Sequence, residues 1–102
     1  MLVVAAGVAL SALATQAVSA DGEVLYHSRC LTCHMNAVAG TPGAGDGEVW
    51  APRIEHGIEL LYEHAIKGFQ GATGVMPAKG GFANLSDEDV MAAVNYMVSI
   101  SQ

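Results

Sequence analysis

Both cysteines of the chain stand in one stretch, Ser28-Arg29-Cys30-Leu31-Thr32-Cys33-His34-Met35-Asn36, separated by two residues and followed directly by an imidazole. Three chemistries use thiols in this way: a reversible dithiol, a corner of a zinc site, and covalent anchorage of a haem. A thioredoxin-like dithiol needs a strand before the motif, a helix after it and a parallel sheet around it, and no alternating apolar run in this chain supplies the strands. Structural zinc needs four ligands; Cys30, Cys33 and His34 offer three at most, neighbours at 33 and 34 fit one tetrahedron poorly, and no second cysteine pair exists. A disulfide between Cys30 and Cys33 would close a loop too small to stabilise much. Haem attachment uses every element. Thiols at i and i+3 of a helical turn can form thioethers with two porphyrin vinyl groups, and His34, at i+4 from Cys30, projects toward the iron.

If His34 holds one side of the iron, the other side needs a ligand from elsewhere. Met35 is next to His34 in the chain and cannot reach the opposite face. Met91 and Met97 fall on a predicted helix, where core packing is the expected role. Met76 differs: it lies in the glycine-rich run Gly74-Val75-Met76-Pro77-Ala78-Lys79-Gly80-Gly81, followed by a proline that fixes the local backbone, which is how a loop would present a thioether. A surface or core-plug Met76 is the alternative. His27, His56 and His64 are expected at the surface.

The elements that must position these residues are helical. Asp21 can cap a helix from Gly22 to about Cys30 that runs into the cysteine motif. Residues 37–47 carry four glycines and a proline and read as a loop. Glu48 to Glu55 predicts a short helical piece broken near Pro52. From Gly57 to Gly68, Ile58, Leu61, Tyr62, Ala65 and Ile66 recur at helical spacing with Glu59, Glu63 and Lys67 off the stripe. Residues 69–85 read as irregular. Ser86 then caps a final helix to about Ile100, with three acidic residues in its first turn and Val90, Ala93, Val94 and Met97 on one face.

The first 20 residues carry no charge, and their apolar part is short for a membrane span and ends in Val18-Ser19-Ala20. They read as a secretory signal cleaved after Ala20, leaving one domain over 21–102; no Lys or Arg precedes the apolar run, so an atypical membrane anchor is the alternative. Ten acidic against four basic residues give a formal charge of −6. That balance argues against nucleic acid and anionic membrane surfaces as partners and favours a partner with a basic docking face, or simply serves solubility. In so small a chain the hydrophobic core alone gives a thin margin of stability, which an apolar porphyrin would widen.

Taken together, Gly22 and Tyr26, Cys30-Leu31-Thr32-Cys33-His34, a Met76-Pro77 loop and a last helix with Tyr96 resemble a class I c-type cytochrome. The stretches VAGTPGAGD, WAPRIEHG, AIKGFQG, MPAKGG and LSDEDVMAAVNYM narrow the resemblance to the small bacterial c5-like subgroup, over essentially all of 21–102. It implies an all-α fold, helices with long glycine-rich loops wrapped around one haem c, linked to Cys30 and Cys33, with His34 and Met76 as axial iron ligands. Pro42 matches the proline whose carbonyl accepts the Nδ1 hydrogen of the histidine ligand. Trp50 and Arg53 match positions near the haem propionates, and Gly22 with Tyr26 against Ala93 with Tyr96 matches the crossing of first and last helices. Some members carry a second cysteine pair before the last helix; residues 80–87 here have none, so only a disulfide is missing.

The implied function is a soluble, periplasmic electron carrier that cycles Fe(III) and Fe(II) with redox partner proteins by outer-sphere transfer. It is not an enzyme, takes no small-molecule substrate, and touches membrane only through partner complexes or an uncleaved N-terminus. Two other readings stay open. One is a haem enzyme subunit or a gas- or peroxide-binding sensor with a labile sixth ligand; the other is a haem-free Cys-x-x-Cys redox or zinc module.

Overall fold

The computed structural model describes residues 21–37 and 40–102. The predicted signal segment, 1–20, lies outside the described residues. Helix α1, residues 22–34, is one continuous rod in three parts: Gly22–Leu25, a π-helical segment Tyr26–Cys30, and Leu31–His34. Asp21 starts it, its carboxylate accepting the Glu23 N–H at 2.9 Å. The expected end near Cys30 is displaced by a full turn. The π segment absorbs an extra residue per turn, with Leu31 N–H donating to Tyr26 O, and the rod continues through both cysteines to His34.

Helix α2, Gly47–Glu55, is capped by Asp46, which accepts the Val49 N–H at 3.3 Å. Its expected break at Pro52 does not occur. Pro52 leaves the Glu48 carbonyl without its helical donor, but both residues are exposed, so water can serve that carbonyl. Buried Trp50, half a turn earlier, anchors the helix to the interior. Helix α3, Ile58–Lys67, is flanked by Gly57 and Gly68, as the periodicity predicts. Helix α4, Asp87–Ile100, begins at Ser86, whose hydroxyl accepts the Asp89 N–H at 3.1 Å, and buries Val90, Ala93, Val94, Met97 and Val98.

The stretch read as irregular carries more order than its composition suggests. Phe69–Gln70 (β1) and Val75–Met76 (β2) pair antiparallel, Phe69 opposite Met76 and Gln70 opposite Val75, closed by Gly71 N–H to Gly74 O at 2.8 Å. A tight 3₁₀ turn, Ala78–Gly81, follows. Strands of two residues leave no alternation to read, which is why the hairpin is invisible in the sequence.

The principal packing is α1 across α4, with α3 against α4 beside it. At the crossing a Cβ on Gly22 would fall 2.1 Å from the Ala92 carbonyl oxygen, so the two backbones approach to a distance that only glycine permits. The Tyr26 and Tyr96 rings meet at 5.4 Å between centroids just below it. Tyr26, Trp50, Ala65, Val90, Val94, Met97 and Val98 form the buried cluster. The Tyr62 hydroxyl donates to Asn95 Oδ1 and ties α3 to α4. Ser101, itself buried, accepts the Gly45 N–H at 2.8 Å and holds the loop of the 40s against the end of α4. Among the described residues no helix is long and apolar enough to cross a membrane.

Candidate cofactor site

A cavity of about 590 Å³ opens between α1, α2, α3, α4 and the two irregular segments, a size suited to a cofactor. Its lining includes Cys30, Cys33, His34, Pro42, Trp50, Arg53 and Met76. The seven residues singled out by motif and resemblance therefore converge on one space, although 46 positions separate the first from the last.

His34 closes the end of α1 and is 7% exposed. Its Nδ1 lies 2.9 Å from the Pro42 carbonyl oxygen, which can only accept, so Nδ1 carries the hydrogen and Nε2 is left with its lone pair. Burial pushes the imidazole below its ordinary pKa, and the Pro42 bond opposes that in part. The outcome is a neutral ring of defined tautomer, the state in which imidazole binds a metal. The Ala44 N–H to His34 O bond, at 2.7 Å, adds a second tie between α1 and the loop.

Cys30 is half-buried and Cys33 exposed, both as free thiols. Burial first, and then Cys33 beside it, push the Cys30 thiol above its ordinary pKa. That is the opposite of the stabilised thiolate a redox-active dithiol uses. Among the described residues no three of His, Cys, Asp and Glu converge as metal ligands.

Trp50 and Arg53 occupy the cavity wall in ways their motif does not reveal. The Trp50 indole N–H donates to Gly43 O at 2.9 Å, so it braces the loop that carries Pro42 instead of offering its hydrogen to the cavity. One Arg53 amine, Nη1, donates to Val49 O at 2.8 Å within its own helix, using one of the five guanidinium donors. Among the described residues no acidic side chain lines the cavity, and the charged ones that do are Arg29 and Arg53. Carboxylate groups of a cofactor would find this lining congenial.

Among the described residues two methionines reach the cavity, Met76 from β2 and Met97 from α4. Met97 is 4% exposed and belongs to the core cluster, whereas Met76 is only half-buried and packs at its edge. Met35 is 61% exposed, as expected for a residue with no role at the site. The two irregular segments meet in the cavity wall, where a Cβ on Gly40 would lie 2.0 Å from Thr73 O.

His64 is the residue whose position periodicity misjudged. It is half-buried and lines the cavity, with its ring stacked on Phe69 at 3.8 Å and 9°. Its place at the edge of the α3 stripe was legible, but the aromatic partner comes from β1, beyond the helix. His56 also lines the cavity while staying exposed, and His27 packs edge-on to Tyr26 at 5.1 Å.

A prosthetic group fits this space on two observations: the single-tautomer imidazole aimed into it, and an apolar lining too large for the chain's own side chains to fill. The comparisons agree. A family model described as cytochrome C oxidase, cbb3-type, subunit III, matches residues 17–97. Cytochrome c-555 of Chlorobaculum tepidum is 46% identical over 84 residues, covering 82% of this chain and 78% of that protein. Cytochrome c5 of Ectopseudomonas mendocina is 35% identical over 81 residues, covering 78% of this chain and 86% of that one. Among solved structures, a chain from an electron-transfer complex of nitrite reductase with cytochrome c superposes with a TM-score of 0.70 at 38% identity, covering 79% of this chain and 94% of its own. The chain belongs to this cytochrome c family and, within it, to the small class I c-type cytochromes of the c-555 and c5 kind: it is an all-α electron carrier with covalently bound haem c, and not an enzyme.

Proposed function

We propose that Cys30 and Cys33 hold the haem through thioethers and that His34 Nε2 and Met76 Sδ are its axial iron ligands. The observation that carries the assignment is the His34 Nδ1 to Pro42 O contact at 2.9 Å, because it presents Nε2 as a ligand in the cavity that Met76 also lines. The haem supplies a one-electron couple; the residues around it decide what reaches the iron. With His34 and Met76 both bound, no position stays open for a substrate, and a thioether raises the potential relative to a second imidazole. Val94, Met97, Leu61 and Ala65 present carbon to the cavity and keep water from it. Arg53, and Arg29 at the rim, offer positive charge for the propionates, while Trp50 and Pro42 fix the loop against His34.

The protein reads as periplasmic, exported by residues 1–20 and cleaved after Ala20. An optical spectrum and intact mass on protein isolated from the periplasm of a haem-attaching host test these assignments together. Expected are the mass of 21–102 plus one haem and, in the oxidised form, the weak red band of iron–methionine sulfur. Free thiols at Cys30 and Cys33 would end the assignment of the haem anchor.

The partner surface we infer is basic. All ten acidic side chains lie outside the cavity lining, and Glu55, Glu59 and Glu63 are exposed at intervals of four along α2 and α3. The cytochrome in the nitrite reductase complex shows that a relative docks on a redox enzyme, which supports a partner of that class. Electron exchange with a cationic ruthenium ammine should slow as salt is raised, and with an anionic iron cyanide it should quicken. The opposite pair of slopes would assign the acidic partner face instead.

A further inference from the structure

We infer that Lys79 is a positioning residue for Met76, latching the methionine-bearing turn to the start of α4. This rests on Met76 being the axial ligand, and the structure assigns the latch from three observations. Lys79 holds φ +53° and ψ +30°, a left-handed backbone that is unfavourable for a residue with a Cβ and persists only where the surroundings over-determine it. Its side chain, 21% exposed, runs to the start of α4: Nζ donates to the Leu85 carbonyl at 2.6 Å and lies 3.0 Å from Asp87 Oδ1. Between Lys79 and Leu85 the chain is a series of tight turns, with Gly80 N–H to Pro77 O, Phe82 N–H to Lys79 O and Leu85 N–H to Phe82 O, each at 3.0 Å.

The geometry transmits this anchorage to Met76. Pro77 fixes the backbone directly after Met76 at φ −69° and ψ 149°, so the path from Sδ to the latch contains only Pro77 and Ala78. On the other side the register pairs Met76 with Phe69, and a Cβ on Gly68 would lie 3.1 Å from Met76 O and 3.0 Å from Ala78 N. The strand side is thus held by backbone, and the outgoing side by the ammonium of one lysine. Asp87 opens α4, where its carboxylate also suits the positive end of the helix dipole, so the latch closes on a helix of 14 residues.

Loosening the latch raises the fraction of time Met76 is off the iron, and an exogenous ligand then competes better. In oxidised holoprotein, imidazole should bind about tenfold more tightly in Lys79→Met and about threefold more tightly in Asp87→Asn, as expected when a charge-assisted hydrogen bond or its outer partner is lost. Lys79→Gly keeps the left-handed backbone without strain yet lacks the ammonium, and it should behave as Lys79→Met does. Lys79→Arg should return toward wild type. A field effect on the iron would move the variants in opposite directions, because Lys79→Met removes a positive charge and Asp87→Asn a negative one; a loosened turn moves both the same way. Imidazole affinity unchanged in Lys79→Gly and Asp87→Asn, with the red band present in wild type, overturns the latch alone. A wild-type protein without that band overturns the Met76 assignment and the latch with it.

Discussion

Met76→Ala should abolish the red iron–sulfur band, lower the reduction potential and let imidazole bind at least about tenfold more tightly than in wild type, a gain of about 1.4 kcal/mol or more. The direction follows from the ligand set. A thioether favours Fe(II) relative to harder donors, and its removal leaves a position open to an added ligand. Met97→Leu is the paired control, because Met97 is the other thioether lining the cavity. Met97 is 4% exposed within the core cluster, so that conservative exchange should cost stability of no more than about 1.5 kcal/mol and leave the band in place. Were the band to survive Met76→Ala and vanish in Met97→Leu, the axial ligand would come from α4. His64, stacked on Phe69 in the cavity wall, is the side chain to watch in Met76→Ala: a bis-imidazole spectrum appearing there would show that the stack can open.

Replacing both Cys30 and Cys33 by Ala should leave a bare polypeptide that is largely unfolded. A cavity of about 590 Å³, at roughly 24 cal/mol per Å³ left empty, represents an upper figure of about 14 kcal/mol. Whole domains are stable by about 5–15 kcal/mol, so an empty space of this size is comparable with a domain's entire stability and leaves the packing of α1, α3 and α4 little margin to hold it. Water entering through the mouth reduces the figure without removing the apolar lining from it. Circular dichroism should show most helical signal lost, and intact mass should show no added haem. Native-like ellipticity in the haem-free variant would contradict the role given to the porphyrin as core material.

The helices were legible because their code is local. Asp21 and Ser86 each bond an N–H within three residues, and the stripes of α3 and α4 recur at the period of the helix itself. The Cys-x-x-Cys-His motif belongs to the same class, since its spacing is the spacing of one helical turn. Local reading failed where a local rule was overridden. Pro52 predicts a break, yet the exposed carbonyl it orphans has solvent, and buried Trp50 holds α2 in place. The π segment Tyr26–Cys30 shifts the phase of α1 by a residue, and nothing in five side chains announces it.

The chemistry of the site divides along the same line. By itself the sequence determined which groups are present and which can share a turn: two thiols, the imidazole behind them, and a methionine ahead of a proline. The tertiary structure alone decided their states and partners. Pro42, eight residues on, chooses the His34 tautomer; Gly43 takes the Trp50 hydrogen; Phe69 draws His64 to the cavity wall; and Leu85 with Asp87 receives Lys79. Periodicity and capping act over a few residues and leave a pattern in the chain, whereas contacts between irregular segments depend on how helices cross. That crossing is set by the approach of Gly22 to Ala92, across 70 positions of sequence, and no local pattern encodes it.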